Sequence, residues 1–246
     1  MDPFFFELFE SLPRQAPGSV RATLRALSSL TLPPHPLSIL DIGCGAGAQT
    51  LTLARHLAGH IVAVDNHQPF LNALTARTAQ AELRATVECR NADMRTLMFP
   101  DGSFDVVWAE GSIYVMGFEA GLRMVRPFLK KSGYVVFSDM VWLSDEPPAA
   151  AAEFFAAEYP AMKRSTDLRS IVVNAGYTLI DSFPVCVEDH WKTYYEPMQE
   201  QVTRMRAERP GDQAAQHLCD SLQQEIDVYA AFSSSFGYVF TIMQRP

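Results

Sequence analysis

A glycine-rich turn between a predicted strand and a predicted helix constrains the fold of this chain more than any other feature. The apolar strand Leu37–Ile42 runs into Gly43-Cys44-Gly45-Ala46-Gly47, and helical spacing begins at about residue 48. Glycine adopts the backbone angles that a sharp turn needs, and without a Cβ it lets a ligand lie against the backbone. The unpaired N–H groups at the start of the helix attract an anionic group. Segment 39–50 therefore predicts a site for a ligand with a phosphate or carboxylate group.

Short apolar strands then alternate with helical patterns. Further strands are predicted at residues 60–64, 85–90, 105–109 and 134–138, with helices at about 48–57, 68–80 and 118–130. This alternation predicts βαβ units, in which a parallel sheet carries helices on both faces. Residues 106–108 are apolar throughout, which is typical of a strand buried on both faces.

The two ends of the chain are mainly helical in pattern. Helices are predicted at 4–12, 20–30, 146–159 and 166–175, strands at 177–187 and 237–243, and a broken helical stretch at 190–231. We predict one domain over 1–246. Its parts are an N-terminal helical lid (1–36), a cofactor-binding core (37–187), a helical insertion that covers the substrate (188–233) and a final strand (234–246).

Charge and cysteine spacing disfavour several classes of protein. The 246-residue chain has a formal net charge of −8, which does not suit a broad phosphate-binding surface. No apolar run approaches the ~20 residues of a membrane span, and the N-terminus lacks the basic start of a signal peptide. The four cysteines are too scattered for a zinc motif, so no metal site is predicted. We predict a cytoplasmic protein that does not bind membranes, and nucleic acid is disfavoured as a partner without being excluded.

Acidic residues near the turn distinguish between two adenosine-bearing ligands. Asp65 closes the second strand, where a carboxylate can accept hydrogen bonds from both hydroxyls of a ribose. The turn also satisfies a loose GxGxxA pattern typical of dinucleotide sites. Asp41, however, would repel a pyrophosphate and attract the amino group of a methionine moiety. Asp93, after the third strand, can accept a hydrogen bond from an adenine amino group. S-adenosylmethionine is therefore favoured over NAD.

Four motifs extend this prediction to a family. ILDIGCGAGAQT, VAVD, NADM and FPDGSFDVVWAEG together resemble the successive motifs of class I S-adenosylmethionine-dependent methyltransferases, and FPDGSFDVV is similar to their small-molecule branch called type 11. WAEGSIYVMGFEAGL resembles a bacterial subgroup with WAEGAIY-like sequences. The resemblance implies an α/β fold with a Rossmann-like, seven-stranded, mostly parallel sheet whose last strand is antiparallel. It also implies S-adenosyl-L-methionine as cofactor and S-adenosyl-L-homocysteine as product.

The motif positions predict the residues that hold this cofactor. They are Asp41, Gly43, Cys44, Gly45, Gly47, Asp65, Asn66, Asp93, Met94 and Glu110.

The acceptor of the methyl group is predicted to be a small molecule. The loop after the fourth strand reads Ala109-Glu110-Gly111-Ser112, and not the NPPY or DPPY of family members that methylate adenine or glutamine nitrogens. Glu110 and Asp139 are each expected just past a strand, at the sheet edge where open α/β sheets bind ligands. Either could orient or deprotonate the acceptor. Alternatively, Glu110 could only order its loop and Asp139 could cap the segment that follows it.

An aromatic stretch in the insertion supplies two more candidates. His190 and Tyr194 share a face if the stretch is helical, and imidazole is the side chain that ordinarily titrates near neutral pH. The predicted catalytic residues are Glu110, His190 and Tyr194, with His190 as a base. The alternative is that the stretch only packs on the sheet.

Other functions stay open at this stage. The chain could methylate a protein or RNA, or it could bind the cofactor without catalysis; a nicotinamide oxidoreductase is a weaker alternative. The long helices predicted in residues 197–231 could bury a homodimer face.

Overall fold

The computed structural model describes residues 3–246, and eight strands within this range form one sheet. The strands are β1 (Leu37–Ile42), β2 (Gly59–Asp65), β3 (Ala85–Asn91), β4 (Phe104–Glu110), β5 (Leu129–Trp142), β6 (Lys163–Arg164), β7 (Thr178–Pro184) and β8 (Phe236–Gln244). Their order is β3-β2-β1-β4-β5-β8-β7, and β6 pairs with β5. The α/β fold with a Rossmann-like sheet is confirmed.

The direction of the strands also agrees with the sequence. Strands β1 to β5 pair in parallel, whereas β8 runs antiparallel between β5 and β7, with Val136 opposite Ile242. The predicted count of seven strands differs by one because of β6, which has two residues. A strand that short has no periodicity from which it could be predicted.

Ten α-helices surround the sheet in the described part of the chain. They are α1 (Pro3–Glu10), α2 (Val20–Ser28), α3 (Ala48–His56), α4 (Gln68–Gln80), α5 (Phe118–Val125), α6 (Ala149–Glu158), α7 (Leu168–Asn174), α8 (Val187–His190), α9 (Glu196–Glu208) and α10 (Gln213–Phe232). A π-helical turn, Trp191–Tyr195, joins α8 to α9. Within residues 3–246 no helix is both long and apolar enough to cross a membrane.

Both faces of the sheet are buried because apolar side chains alternate between them. Ile39 and Trp108 belong to a cluster with α1, α2, α3, α9 and α10, and Leu40 and Val107 to a cluster with α5 and α7. The helices of the insertion thus share a face of the sheet with the N-terminal helices. This arrangement brings parts of the chain that are far apart in sequence to the same side of β5 and β8.

The largest local difference from the prediction lies around β5. The helix predicted to reach residue 130 ends at Val125, and β5 covers 129–142 instead of 134–138. β5 pairs with β8 from Tyr134 to Trp142, so a partner about a hundred residues away extends the strand. Asp139 consequently lies inside β5 and not after it.

Candidate functional site

The glycines of the turn after β1 serve two different purposes. Gly43 (φ +69°) and Gly47 (φ +86°) both have positive φ, which glycine adopts most easily. A Cβ on Gly43 would lie 2.4 Å from the Cβ of Ser112, and one on Gly47 would lie 2.2 Å from Cδ1 of Leu74. Gly43 lines a cavity, whereas Gly47 allows α3 to pack closely against α4.

A cavity of about 140 Å³, here called the loop cavity, lies beside this turn. Among the predicted cofactor residues, those on its wall are Gly43, Cys44, Gly45, Asp65, Met94 and Glu110. Asp41, Gly47, Asn66 and Asp93 do not line it. The wall also contains residues that the sequence analysis missed, namely Arg14, Gln15, Ala16, Gln49, Phe70, Gly111, Ser112 and Val115.

The carboxylate of Asp65 is held at this cavity by two backbone N–H groups. One oxygen accepts from Gly45 and the other from His67, each at 2.9 Å. These bonds orient the carboxylate at the carboxyl end of β2, beside the turn. Since a carboxylate oxygen has more than one lone pair, both oxygens can still accept from a ligand hydroxyl.

Asp41 lies behind the turn and not on the cavity wall, and its contact with a ligand stays a prediction. Its side chain is fully buried and accepts hydrogen bonds from Thr50 Oγ1 at 2.5 Å and Gln49 Nε2 at 3.2 Å. Burial raises the pKa of Asp41 to about 7, although both hydrogen bonds act to lower it. These contacts connect β1 to the first turn of α3, so Asp41 shapes the cavity indirectly.

Two further predicted ligand contacts also lie off the cavity wall. Asp93 accepts a hydrogen bond from the backbone N–H of Arg95 at 2.8 Å and caps the short 3-10 helix Met94–Thr96. Asn66 is exposed. Met94, which follows the capping residue, does reach the cavity.

Glu110 anchors the N-terminal segment to the sheet. Its side chain, in a residue only 3% exposed, accepts from Arg14 Nη2 at 2.5 Å with one oxygen. The other oxygen accepts from Thr23 at 2.8 Å and from the indole N–H of Trp108 at 2.9 Å. Both carboxylate oxygens of Glu110 are thus occupied by protein partners, and its catalytic role stays a prediction.

Gln15 closes the loop cavity from the N-terminal side. Its amide oxygen accepts a hydrogen bond at 2.8 Å from the backbone N–H of Ala46, directly before α3. Its amide nitrogen donates to the carbonyl groups of Phe9 and Leu12 at 3.2 and 3.1 Å. The side chain thus links the end of α1 to the glycine-rich turn. No motif marks Gln15 in the sequence, because its role depends on where α1 packs.

A larger cavity of about 490 Å³, here called the aromatic cavity, adjoins the loop cavity. The two cavities share four wall residues, Gln15, Ala16, Phe70 and Gly111. Most of the remaining wall consists of aromatic rings from α1, α6, the π-helical turn and β8, including Phe9, Phe155, Tyr159, Tyr194 and Tyr238. Its volume lies in the range of about 300–1,000 Å³ that is usual for small-molecule sites.

Carboxyl groups interrupt this aromatic wall. Asp139 is 1% exposed and accepts hydrogen bonds from the hydroxyl of Tyr159 at 2.9 Å and from the N–H of Met140 at 2.8 Å. Glu225 on α10 accepts one from the hydroxyl of Tyr195 at 3.0 Å. Burial raises the pKa of both carboxyl groups to about 7.

The two catalytic candidates of the insertion separate in the structure. Tyr194 lines the aromatic cavity, but His190 lines neither cavity and is 1% exposed. The His190 ring lies 4.2 Å from the ring of Tyr229 and 5.0 Å from that of Tyr195, between ring centroids. Burial lowers the pKa of His190 to about 3. The position of His190 favours the packing alternative, and its role as a base stays a prediction.

The comparisons with known proteins match this architecture. Residues 39–133 match a family model described as a methyltransferase domain. A S-adenosylmethionine-dependent methyltransferase from Geobacter sulfurreducens, solved with S-adenosyl-L-homocysteine, has a TM-score of 0.85 and 18% identity over 100% of this chain and 99% of that chain. The [4+2]-cyclase SpnF has a TM-score of 0.70 and 18% identity over 96% and 86% of the two chains. At these identities the structural matches show the fold alone.

Curated relatives share the same core. Phosphoethanolamine N-methyltransferase 1 of Arabidopsis thaliana is 27% identical over 199 residues, which are 78% of this chain and 38% of that protein. The chain thus spans well under half the length of this relative. Residues 39–133 are thus similar to a methyltransferase domain, and the chain as described has the fold of the class I methyltransferases.

Proposed function

We propose that this chain is a S-adenosylmethionine-dependent methyltransferase that acts on a small molecule. The observation that carries the proposal is the junction of two cavities, one beside the glycine-rich turn and Asp65, the other aromatic and larger. The family match and the small-molecule methyltransferases among the relatives support it. The WAEGAIY-like subgroup and the cytoplasmic location stay predictions.

The residues of the loop cavity fit such a cofactor in their chemistry. Asp65 offers acceptors for the ribose hydroxyls, and the backbone N–H of Ala46 is the kind of donor that holds a carboxylate. When bound, S-adenosylmethionine supplies an electrophilic methyl group: a lone pair of the acceptor forms the new bond while the electrons of the old bond stay on sulfur, which leaves S-adenosylhomocysteine. The chain itself has to hold the acceptor in place and accommodate any proton that it releases.

The N-terminal segment is proposed to act as a lid over this site. The loop cavity, at about 140 Å³, is smaller than the usual lower limit of about 300 Å³ for a small-molecule site. Gln15 and Ala16 form part of its wall and also part of the wall of the aromatic cavity. Retraction of these two residues would join the cavities and free the N–H of Ala46. The insertion contributes Tyr194 and residues of α10 to the wall of the aromatic cavity, and it is proposed to cover the substrate.

Cofactor binding tests the proposal directly. Calorimetry with S-adenosylhomocysteine should show binding to the purified chain, and Asp65→Ala should weaken it about tenfold or more because two ribose hydrogen bonds are lost. Asp101→Ala, at an exposed position outside the cavity, is the matched control. Unchanged affinity in Asp65→Ala would mean that Asp65 does not hold the ribose. Absence of binding to the unmodified chain would reject the proposed function.

Transfer of a labelled methyl group separates the remaining alternatives. The chain is incubated with labelled S-adenosylmethionine and a cell extract, and the products are separated by size. Label in the small-molecule fraction is the expected result, whereas label only in protein or RNA would reveal a macromolecule methyltransferase. Tight cofactor binding with no transfer into any fraction would indicate a non-catalytic binding protein.

A further inference from the structure

We propose that the aromatic cavity takes an acceptor with an amine on an apolar body, and that Asp139 receives the proton which the ammonium group must lose. The inference rests on the proposed function and narrows it from a small molecule to a chemical class. Four features of the cavity support it: its charges, its rings, its unpaired hydroxyl groups and the placement of Asp139.

The charged side chains of the described cavity wall are all acidic. They are Asp139, Glu158 and Glu225, and the wall includes no Lys, Arg or His. The nearby Arg14 lines only the loop cavity and is paired with Glu110. A phosphate or carboxylate in the aromatic cavity would therefore be desolvated beside like charges without a counterion, which is costly. A cationic amine would meet charges of the opposite sign.

The aromatic rings of the wall suit the same ligand. The faces of Phe and Tyr rings attract a cation. They also bury apolar surface, and the cavity includes the rings of Phe9, Phe155 and Tyr114 next to Met140 and Leu222. An acceptor with an apolar body uses this surface, whereas a compact, highly polar molecule would leave it unfilled.

Two tyrosine hydroxyl groups face this cavity without a protein partner. Tyr194 is 7% exposed and Tyr238 is 9% exposed, both line the cavity, and the described residues offer neither hydroxyl a hydrogen bond. Neither oxygen is among the buried unpaired atoms of the described residues, so both hydroxyls are open to a polar atom of a ligand in the cavity. A hydroxyl oxygen can accept a hydrogen bond from an ammonium N–H, in keeping with the acidic wall.

Asp139 is suited to take the proton. An ammonium group has no lone pair, so it must first release a proton to a base, after which the neutral nitrogen can accept a methyl group. Burial raises the pKa of Asp139 to about 7, close to the pH at which a base works best in the cell. Tyr159 and Met140 donate to different oxygens of Asp139, which leaves lone pairs on both. The proton passes from nitrogen to the Asp139 carboxylate and then to solvent.

A set of isosteric probes tests the ligand class without knowledge of the natural acceptor. 2-Phenylethylamine, 2-phenylethanol and 3-phenylpropionate present a cation, a neutral hydroxyl and an anion on the same ring and a similar chain. Each is titrated by calorimetry into the full chain saturated with S-adenosylhomocysteine. We expect the amine to bind at least tenfold more tightly than the alcohol and the acid to bind most weakly. Equal affinities, a tighter acid or no binding of the amine would overturn the inference.

Substitutions in the wall of the aromatic cavity test which residues cause the preference for the amine. Glu225→Gln and Asp139→Asn should each reduce the preference for amine over alcohol several-fold while leaving the affinity for S-adenosylhomocysteine unchanged. That affinity also reports whether each variant is folded. Glu208→Gln, exposed on α9 away from the cavity, is the control and should retain the full preference. An undiminished preference in both cavity variants would also overturn the inference.

The same titrations distinguish failure of the inference from failure of the proposed function. Loss of the amine preference with intact S-adenosylhomocysteine binding rejects only the acceptor class. An unmodified chain that does not bind S-adenosylhomocysteine rejects the methyltransferase itself.

Discussion

Carboxyl groups that are similar in the sequence have different partners in the folded chain. Asp65 accepts from two backbone N–H groups at the loop cavity, Asp41 is buried behind the turn, and Glu110 is held by Arg14, Thr23 and Trp108. Asp139, which belongs to β5, lies on the aromatic cavity instead. The chemistry available to each carboxyl group follows from these partners and from burial. Residue type and position after a strand are not sufficient to assign it.

His190 provides a test of this argument at the scale of one residue. Both ring nitrogens are buried without a hydrogen-bond partner, so His190→Phe should raise the free energy of unfolding by about 1 kcal/mol at neutral pH. The folded pKa, about 3, is below the ordinary value of 6.5, so the folded state loses stability as pH falls from 6.5 towards 3. His190→Phe should remove that loss. Urea unfolding at pH 5 and pH 8 measures both effects.

The opposite result for His190 would be informative. If His190→Phe is less stable than the unmodified chain at both pH values, the imidazole has polar partners in the folded chain and does not act by packing alone. His56→Phe is a suitable control for the general effect of removing a histidine, since His56 lies at the end of α3 with a hydrogen bond to Thr52.

Gly47 tests the packing role assigned to the glycine-rich turn. Gly47→Ala should cost more stability than Gly102→Ala, although φ is positive at both positions (+86° and +66°). The strain of positive φ costs about 1–2 kcal/mol in each variant. Only at position 47 would the new Cβ also strike the buried Leu74, whereas position 102 has open space. Thermal or urea unfolding measures the stability of both variants, and equal losses of stability would contradict the packing role of Gly47.

Among the elements of the fold, the N-terminal helices are connected to the loop cavity by polar contacts. The end of α1 reaches the turn through Gln15, and Arg14 and Thr23 both bind Glu110 at the end of β4. The side chain of Glu10 also accepts from His67 at 2.7 Å. These contacts hold the segment against the loop cavity, and they are the ones that would break if the segment acts as the proposed lid. A lid with such contacts opens at a cost that single substitutions can lower.

Gln15→Ala should speed the association of S-adenosylhomocysteine. The Gln15 amide competes for the N–H of Ala46, and one such hydrogen bond contributes about 1 kcal/mol, or roughly a fivefold change in rate. Stopped-flow measurement of the association rate checks this, with the exposed Gln80→Ala on α4 as control. A slower or unchanged rate in Gln15→Ala would show that this contact does not restrict access.

In the whole molecule, the last strand completes both the sheet and the wall of the aromatic cavity. β8 pairs with β5 along nine residues and with β7 on its other side. It also places Tyr238 on the aromatic cavity, beside residues of α1, α6 and α10. The region matched by the family model, 39–133, contains none of β7, β8 or α10. The aromatic cavity, which is the proposed acceptor site, therefore depends on parts of the chain that follow the region matched by the family model.

A chain cut after residue 187 should not fold cooperatively. It retains every residue of the loop cavity, but β5 and β7 lose their shared partner β8, and the apolar cluster loses α9 and α10. Circular dichroism during urea unfolding is expected to show no sharp transition, and calorimetry no binding of S-adenosylhomocysteine. Binding by the short chain with the affinity of the full one would disprove this dependence.

Much of the fold could be predicted because its signals are local. The strand periodicity, the glycines of the turn and the acid at the end of β2 lie within short segments, and backbone geometry links such patterns to βαβ units. Of the candidate site, the part near the turn was accessible in this way, including Gly43, Gly45, Asp65 and Met94 on the cavity wall. Asp41 and Asp93 belong to the same motifs, but their side chains turn to local hydrogen bonds instead.

Three features could be predicted from the amino-acid sequence: the type of sheet, the position of the glycine-rich turn, and Asp65 beside that turn. Three others became apparent only in the folded chain. Arg14 forms an ion pair with Glu110, 96 positions away, and His190 packs among tyrosine rings. Asp139 and Glu225 line the same cavity. The physical reason is that a side chain's pKa and accessibility depend on burial and on partners from distant segments. Those partners are set by how helices pack on the sheet, and the spacing of residues along one segment carries no record of that packing.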